Sequence, residues 1–198
     1  MEEIAPGIWH WTALHPRIKI EVSSYYLPAE RILIDPLVPS EGLDWFDEHG
    51  PPTDVLLTNR HHYRESGRFA ERFNVTVRCV REGIPEFGGG VQVEPFDFGD
   101  ELPGGIVANA VGAICPDETA LQIPVHQALA LADGAVRWEA GGPLAFVPDA
   151  FMDEPERTKE GLRVSYRRLA KLDFQHLLLA HGEPFVGTGR EVLAAFAG

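Results

Sequence analysis

The sequence has little cysteine, little positive charge and no long apolar run. Cys79 and Cys115 are its only cysteines, too few for a disulfide framework, which favours a reducing compartment. No apolar stretch is long enough to span a bilayer. The acidic start Met1–Ile4 lacks the basic and apolar regions of a signal peptide. These absences argue against a secreted or membrane-embedded protein and predict a cytoplasmic one.

Basic residues are outnumbered, with 17 Lys and Arg against 30 Asp and Glu and a formal net charge of −13. Such a surface repels phosphate backbones, so nucleic acid is not expected as a general partner, and a small-molecule ligand or substrate is. With 44% hydrophobic and 24% charged residues, the chain has the composition of a soluble globular protein. We expect a single domain over residues 1–198, and a homodimer is compatible with it.

Hydrophobic patterns predict the order of the elements. Strands are predicted at 8–11, 18–27, 31–35, 55–58, 75–80, 106–111, 119–123, 128–132, 144–147 and 177–179, and helices near 40–46, around 69–73, from about 155 and from about 189. This order fits an α+β fold in which two mixed sheets pack face to face with helices on the outer faces. A doubly wound sheet is less favoured because the opening and middle strands lack crossover helices.

Three polar loops follow predicted buried strands: Thr58–Gly67, Pro148–Asp149 and His181–Glu183. Loops at strand ends converge on one rim of a sheet, where sites form. Such convergence would bring His61 near Asp149 and His181, although the three are distant in sequence. Imidazole and carboxylate together are good ligands for zinc, iron or manganese.

The segments around these loops resemble motifs of the metallo-β-lactamase superfamily. The segment Leu56–Gly67 is similar to its strand–loop–helix motif, a threonine followed by H-x-H-x-D-H. Asp149 after an apolar strand is similar to the bridging aspartate, Ala180–Gly182 to the last histidine motif, and Leu33–Asp35 to the early strand that ends in aspartate. The resemblance covers essentially the whole chain in order. It implies the four-layer αββα sandwich of that superfamily.

Departures from the motif are as informative as the matches. Asn59 stands where the first histidine is usual, Tyr63 where the metal-binding aspartate is, and Arg64 where the next histidine is. His61 is kept, and residues 112–116 contain no histidine. The resemblance therefore implies a degenerate site that binds either no metal or at most one zinc, iron or manganese ion.

By this alignment the metal ligands are His61, Asp149 and His181, with His62 as a candidate fourth. Two functions then stay open. In the first, a hydrolase, metal-activated water attacks a small ester, amide or thioester, Asp149 orients or deprotonates the water, and Tyr63 or Arg64 steadies the oxyanion.

In the second, a metal-free binding or regulatory protein, Arg64 fills a vacated metal position and pairs with Asp149, forming a small-anion pocket. Cys115 as a nucleophile is less favoured, because its acidic neighbours would raise its pKa.

Overall fold

The computed structural model describes residues 1–198 and contains fourteen β-strands and four α-helices. The strands are β1 (Glu2–Ala5), β2 (Ile8–Leu14), β3 (Glu21–Leu27), β4 (Ile32–Ile34), β5 (Asp54–Leu56), β6 (Thr76–Val80), β7 (Glu94–Phe96), β8 (Glu101–Leu102), β9 (Ile106–Ala110), β10 (Thr119–Ile123), β11 (Ala128–Leu131), β12 (Ala135–Val136), β13 (Ala145–Phe146) and β14 (His176–Leu179). The helices are α1 (Asp44–His49), α2 (Ser66–Phe73), α3 (Pro155–Leu169) and α4 (Gly189–Ala197).

The strands form two main sheets and a small ribbon. The first sheet has seven strands in the sequential order β1 to β7, and its strands from β4 onward are parallel. The second has five strands in the order β14-β11-β10-β9-β8, in which β11 and β14 are parallel. Strands β12 and β13 pair only with each other.

Alternate side chains of the second sheet enter two different cores. Leu177 and Leu179 of β14 pack with α3 and α4, whereas Leu178 between them belongs to the core shared with the first sheet. On β3 the Tyr25 hydroxyl donates to the Leu179 carbonyl of the second sheet at 2.8 Å, whereas the ring of the next residue, Tyr26, packs on Phe46 of α1 with centroids 5.1 Å apart. Because successive strand side chains point to opposite faces, this pattern gives four layers, two sheets between outer helices. The predicted α+β αββα architecture is confirmed.

Most predicted elements are present, with displaced ends. The first helix begins at Asp44 rather than near residue 40. The prediction of a buried strand at 144–147 is wrong, because β13 is only two residues long and lies in the ribbon. None of the helices is long and apolar enough to cross a membrane.

Candidate metal centre

Two pairs of parallel strands, β4 and β5 in the first sheet and β11 and β14 in the second, end at one rim of the sandwich. Asp35 follows β4, and Thr58 lies two residues after β5. In the second sheet Asp133 and His181 each lie two residues beyond the ends of β11 and β14, which run side by side in register. The strand-end loops thus converge on one rim, and of the three residues predicted to meet there His181 does so.

His62 lies between two carboxylates. Its Nδ1 donates to Asp35 Oδ2 at 2.9 Å, and its Nε2 donates to Asp133 Oδ1 at 3.1 Å. Burial by itself would lower the pKa of His62, but the charges of Asp133 and Asp35 raise that pKa to about 9. With a carboxylate on each ring nitrogen, the imidazole is held as a cation at neutral pH.

Asp35 is itself buried, and both of its carboxylate oxygens accept hydrogen bonds. The backbone N–H of Thr58 donates to its Oδ1 at 2.9 Å, and the Thr58 hydroxyl donates to its Oδ2 at 2.5 Å. Burial would raise the pKa of Asp35, yet His62 and then Arg64 and Thr58 lower it. Asp35 therefore stays ionised and fixes the orientation of the His62 ring.

The Asp133 carboxylate collects three donors. His62 Nε2 and His181 Nε2 donate to Oδ1 at 3.1 and 2.9 Å, and Asn59 Nδ2 donates to Oδ2 at 2.7 Å. Burial would raise the pKa of Asp133, but the two histidines hold it well below its ordinary value. The rim thus contains a continuous line of hydrogen-bonded side chains, His181–Asp133–His62–Asp35.

His62, Asp133 and His181 can hold a metal ion, because one ligand atom from each lies within 4.8 Å of the others. Two imidazoles and a carboxylate suit zinc, iron or manganese. The Asp35 carboxylate on the far nitrogen of His62 is the outer group that orients a metal-binding histidine. Binding through His62 Nε2 would displace its proton, so ion and proton compete.

Buried His181 Nδ1 has no hydrogen-bond partner, so Asp133 alone orients that ring. The residues present fit a single ion.

The structure replaces His61 by His62 in this group. Residues Arg60–Tyr63 form a 3₁₀ turn that exposes the His61 side chain and buries that of His62. Asn59 caps the turn by accepting the His61 backbone N–H at 2.9 Å. The spacing of the superfamily motif takes no account of this 3₁₀ turn, and it therefore pointed to His61 rather than to His62.

Asp149 does not join the group, and Asp133 takes the place that the sequence analysis gave it. Asp149 begins a 3₁₀ turn after the β13 ribbon, is exposed, and accepts from Lys159 Nζ at 2.8 Å. A signal for Asp133 was available: it ends the apolar run 128–132, just as Asp149 follows 144–147. The Asp133–Gly134 pair is also typical of a tight turn, and a turn residue does not by itself indicate a site.

Tyr63 and Arg64 lie in different surroundings. The ring of Tyr63 packs against Phe87, with centroids 6.0 Å apart, and joins the core at the edge of the first sheet. The Arg64 guanidinium donates through Nη1 to the carbonyl oxygens of Ser23 and Asp35, both at 2.6 Å, and through Nη2 to that of Ala180 at 3.4 Å. Arg64 is therefore not paired with Asp149, and the predicted Arg64 pair is corrected to these carbonyls.

Two acidic residues and a cysteine flank the group. Burial and then Asp117 raise the pKa of the Cys115 thiol, as expected for a poor nucleophile. Glu118 is buried and accepts the Gly134 backbone N–H at 2.9 Å, beside Asp133. Burial, with Asp133 adding to it, raises the pKa of Glu118 to about 7. The sequence analysis did not single out Glu118, because nothing in its local pattern distinguishes a buried carboxyl.

No protein-family model matches the chain, and no curated protein matches it in sequence. Solved structures do. A metallo-β-lactamase from Pontibacter korlensis is similar with a TM-score of 0.71 and 15% identity, over 99% of this chain and 97% of that one. A metallo-β-lactamase family protein from Thermus thermophilus is similar with a TM-score of 0.69 and 16% identity, over 98% and 79% of the two chains.

A protein solved in a di-iron-bound form is similar with a TM-score of 0.66 and 19% identity, over 93% of this chain and 96% of that one. Identities this low establish the fold alone. The TM-scores, over nearly the whole of this chain, agree with the fold that the resemblance in the sequence implies. The chain has the metallo-β-lactamase fold.

Proposed function

We propose that the protein is a hydrolase that binds one zinc, iron or manganese ion through His62, Asp133 and His181 and acts on a small ester, amide or thioester. The observation that carries this proposal is the meeting of three ligand atoms within 4.8 Å, on loops from both sheets. Two histidines and one carboxylate form a ligand set that leaves coordination positions open for water and substrate.

Such an ion, when bound, lowers the pKa of a coordinated water and polarises a carbonyl oxygen. The chain's own residues prepare the ligands. Asp35 holds Nδ1 of His62, which leaves Nε2 as the only nitrogen that can face the ion. Asn59 fixes Asp133 by donating to Oδ2, which leaves Oδ1 directed at both histidines.

Asp133 also takes over the water-orienting role that the sequence analysis gave to Asp149. Its carboxylate lies at the centre of the group, whereas Asp149 is tied to Lys159 at the surface. The low pKa of Asp133 keeps its carboxylate ionised, and an ionised carboxylate can orient a water molecule. Arg64, rather than Tyr63, stabilises the negative charge of the oxyanion in this proposal. Of the two, only Arg64 contacts the loops that bear Asp35 and His181.

Two adjacent histidines provide the test. His62→Ala removes a proposed ligand, whereas His61→Ala removes its exposed neighbour and serves as the matched control. Metal content after incubation with Zn²⁺, Fe²⁺ or Mn²⁺ should be near one ion per chain in the parent and in His61→Ala, and near zero in His62→Ala. Hydrolysis of small nitrophenyl esters, anilides and thioesters should follow the metal content. Equal metal content in both variants, or a metal-free parent, would refute the proposal.

A second function also has support. The donors and acceptors of the group bond to one another, with both nitrogens of His62 on carboxylates, and the half-buried Arg64 lies alongside. A metal-free binding protein that uses Arg64 for a small anion is consistent with this arrangement. Titration with acetate and phosphate by calorimetry separates the two, since anion binding that needs Arg64 and is indifferent to added metal favours the metal-free protein. A small molecule as partner, without nucleic acid or membrane, and a homodimer stay proposals.

A further inference from the structure

Arg64 is a half-buried cation next to the candidate metal centre, and its hydrogen-bond partners are backbone oxygens. Its Nη1 lies 2.6 Å from the carbonyl oxygen of Asp35, whose carboxylate holds His62. Its Nη2 lies 3.4 Å from the carbonyl oxygen of Ala180, the residue before His181. The guanidinium therefore contacts the backbone of both loops that frame the His62–Asp133–His181 group.

The fold holds this side chain under backbone strain. Arg64 has a φ of 45° and a ψ of −114°, a conformation that side-chain-bearing residues rarely adopt. With this backbone conformation, the long side chain lies across the rim, where its guanidinium meets three carbonyl oxygens. The strained conformation indicates that the location of this positive charge has a function.

The charge of Arg64 is fixed in place at the rim. Its guanidinium donates to the carbonyl oxygens of three separate segments, those of Ser23, Asp35 and Ala180. A guanidinium stays protonated at every ordinary pH, so this positive charge is permanent. The rim therefore already holds a fixed positive charge on the loops of Asp35 and His181 before any ion arrives.

We propose that Arg64 is a built-in cation that weakens metal binding at His62, Asp133 and His181 and limits the group to a single ion. This inference rests on the proposed function in taking that group as the metal centre. Two effects combine. A permanent positive charge repels a divalent ion nearby, and the guanidinium occupies carbonyl oxygens of Asp35 and Ala180 that an additional cation would otherwise use.

The experiment compares a charge-removing with a charge-keeping substitution. Arg64→Met keeps much of the length and apolar bulk without the charge, and Arg64→Lys keeps the charge. Arg137→Met is the matched control, because Arg137 also donates to backbone carbonyls, those of Gly142 and Pro184. Zn²⁺ affinity is measured by competition with a chromophoric chelator, stoichiometry by elemental analysis, and folding by thermal unfolding of the metal-free proteins.

Arg64→Met should bind Zn²⁺ at least about tenfold more tightly than the parent and take up a second ion at excess zinc. Arg64→Lys and Arg137→Met should stay within about threefold of the parent. If Arg64 only braced the loops, both Arg64 variants would bind zinc more weakly, the opposite direction. Should Arg64→Met fail to fold, Arg64→Gln is the second uncharged variant.

The outcomes separate this proposal from the proposed function. A parent that binds zinc as tightly as Arg64→Met overturns the role of Arg64 and leaves the metal-dependent function standing. A metal-free parent with a metal-binding Arg64→Met supports the role of Arg64 and overturns that function. Failure of both proteins to bind zinc overturns both.

Discussion

At the scale of single residues, the Asp35 carboxylate decides which nitrogen of His62 faces the group. Asp35 adopts a φ of 48°, a left-handed conformation that asparagine tolerates as well as aspartate does. Asp35→Asn therefore removes the negative charge without new backbone strain. We expect this substitution to weaken metal binding by about 10–100-fold, the usual effect of losing an outer partner of a metal-binding histidine.

Zinc affinity of Asp35→Asn is measured by the same chelator competition. Asp54→Asn is a suitable control, because Asp54 is a carboxylate of the neighbouring strand that pairs with Arg78 at 3.0 Å. An unchanged affinity for Asp35→Asn would mean that His62 is oriented by something other than Asp35.

At the scale of elements, helix α3 packs directly on the turn that carries Asp133. The contact is possible because residue 134 is glycine: a Cβ there would lie 2.3 Å from the Tyr166 hydroxyl, 2.5 Å from Leu162 Cδ2 and 2.7 Å from Glu118 Oε1. Gly134 is thus a position of close approach between helix and turn. The helix layer and the candidate metal centre are connected through this residue.

Gly134→Ala should destabilise the protein by about 1–3 kcal/mol, because the added methyl group forces α3 away from the turn. Gly88→Ala is the matched control, since a Cβ at residue 88 meets nothing within 4 Å. The control should change the free energy of unfolding by less than about 0.5 kcal/mol. Urea unfolding measures both, and equal stabilities would show that the turn and α3 are less tightly packed than described.

At the scale of the whole molecule, Glu118 couples folding to pH. Its pKa is raised from 4.5 to about 7 by burial and by Asp133. The folded state therefore holds this proton more tightly than the unfolded chain does. The contribution of Glu118 to the free energy of unfolding is fully present below about pH 4.5 and is lost as the pH rises through about 7.

Glu118→Gln cannot titrate, so the parent should lose on the order of 2–3 kcal/mol relative to this variant between about pH 4.5 and 8. Comparing the two proteins at each pH cancels contributions from His62 and other groups. Glu139→Gln, at an exposed position, should show no such difference. Parallel curves of unfolding free energy against pH for the parent and Glu118→Gln would contradict the expectation.

The sequence by itself determined the architecture. Apolar runs and their spacing predicted strands β9, β10 and β14 and helix α3 within a few residues, because burial on both faces of a strand or one face of a helix leaves a periodic pattern. His181 was likewise predicted at its place on the rim, since it closely follows such a run. The order of elements was sufficient for a four-layer sandwich.

Tertiary structure alone decided which polar residues meet. His61 and His62 are neighbours of the same type, and only the 3₁₀ turn sets which one is buried. Asp133 and Asp149 both follow apolar runs, but only β11 lies in a main sheet beside the strand of His181. Strand pairing and turn geometry depend on residues distant in the chain, so the local pattern that fixes an element cannot fix its partners.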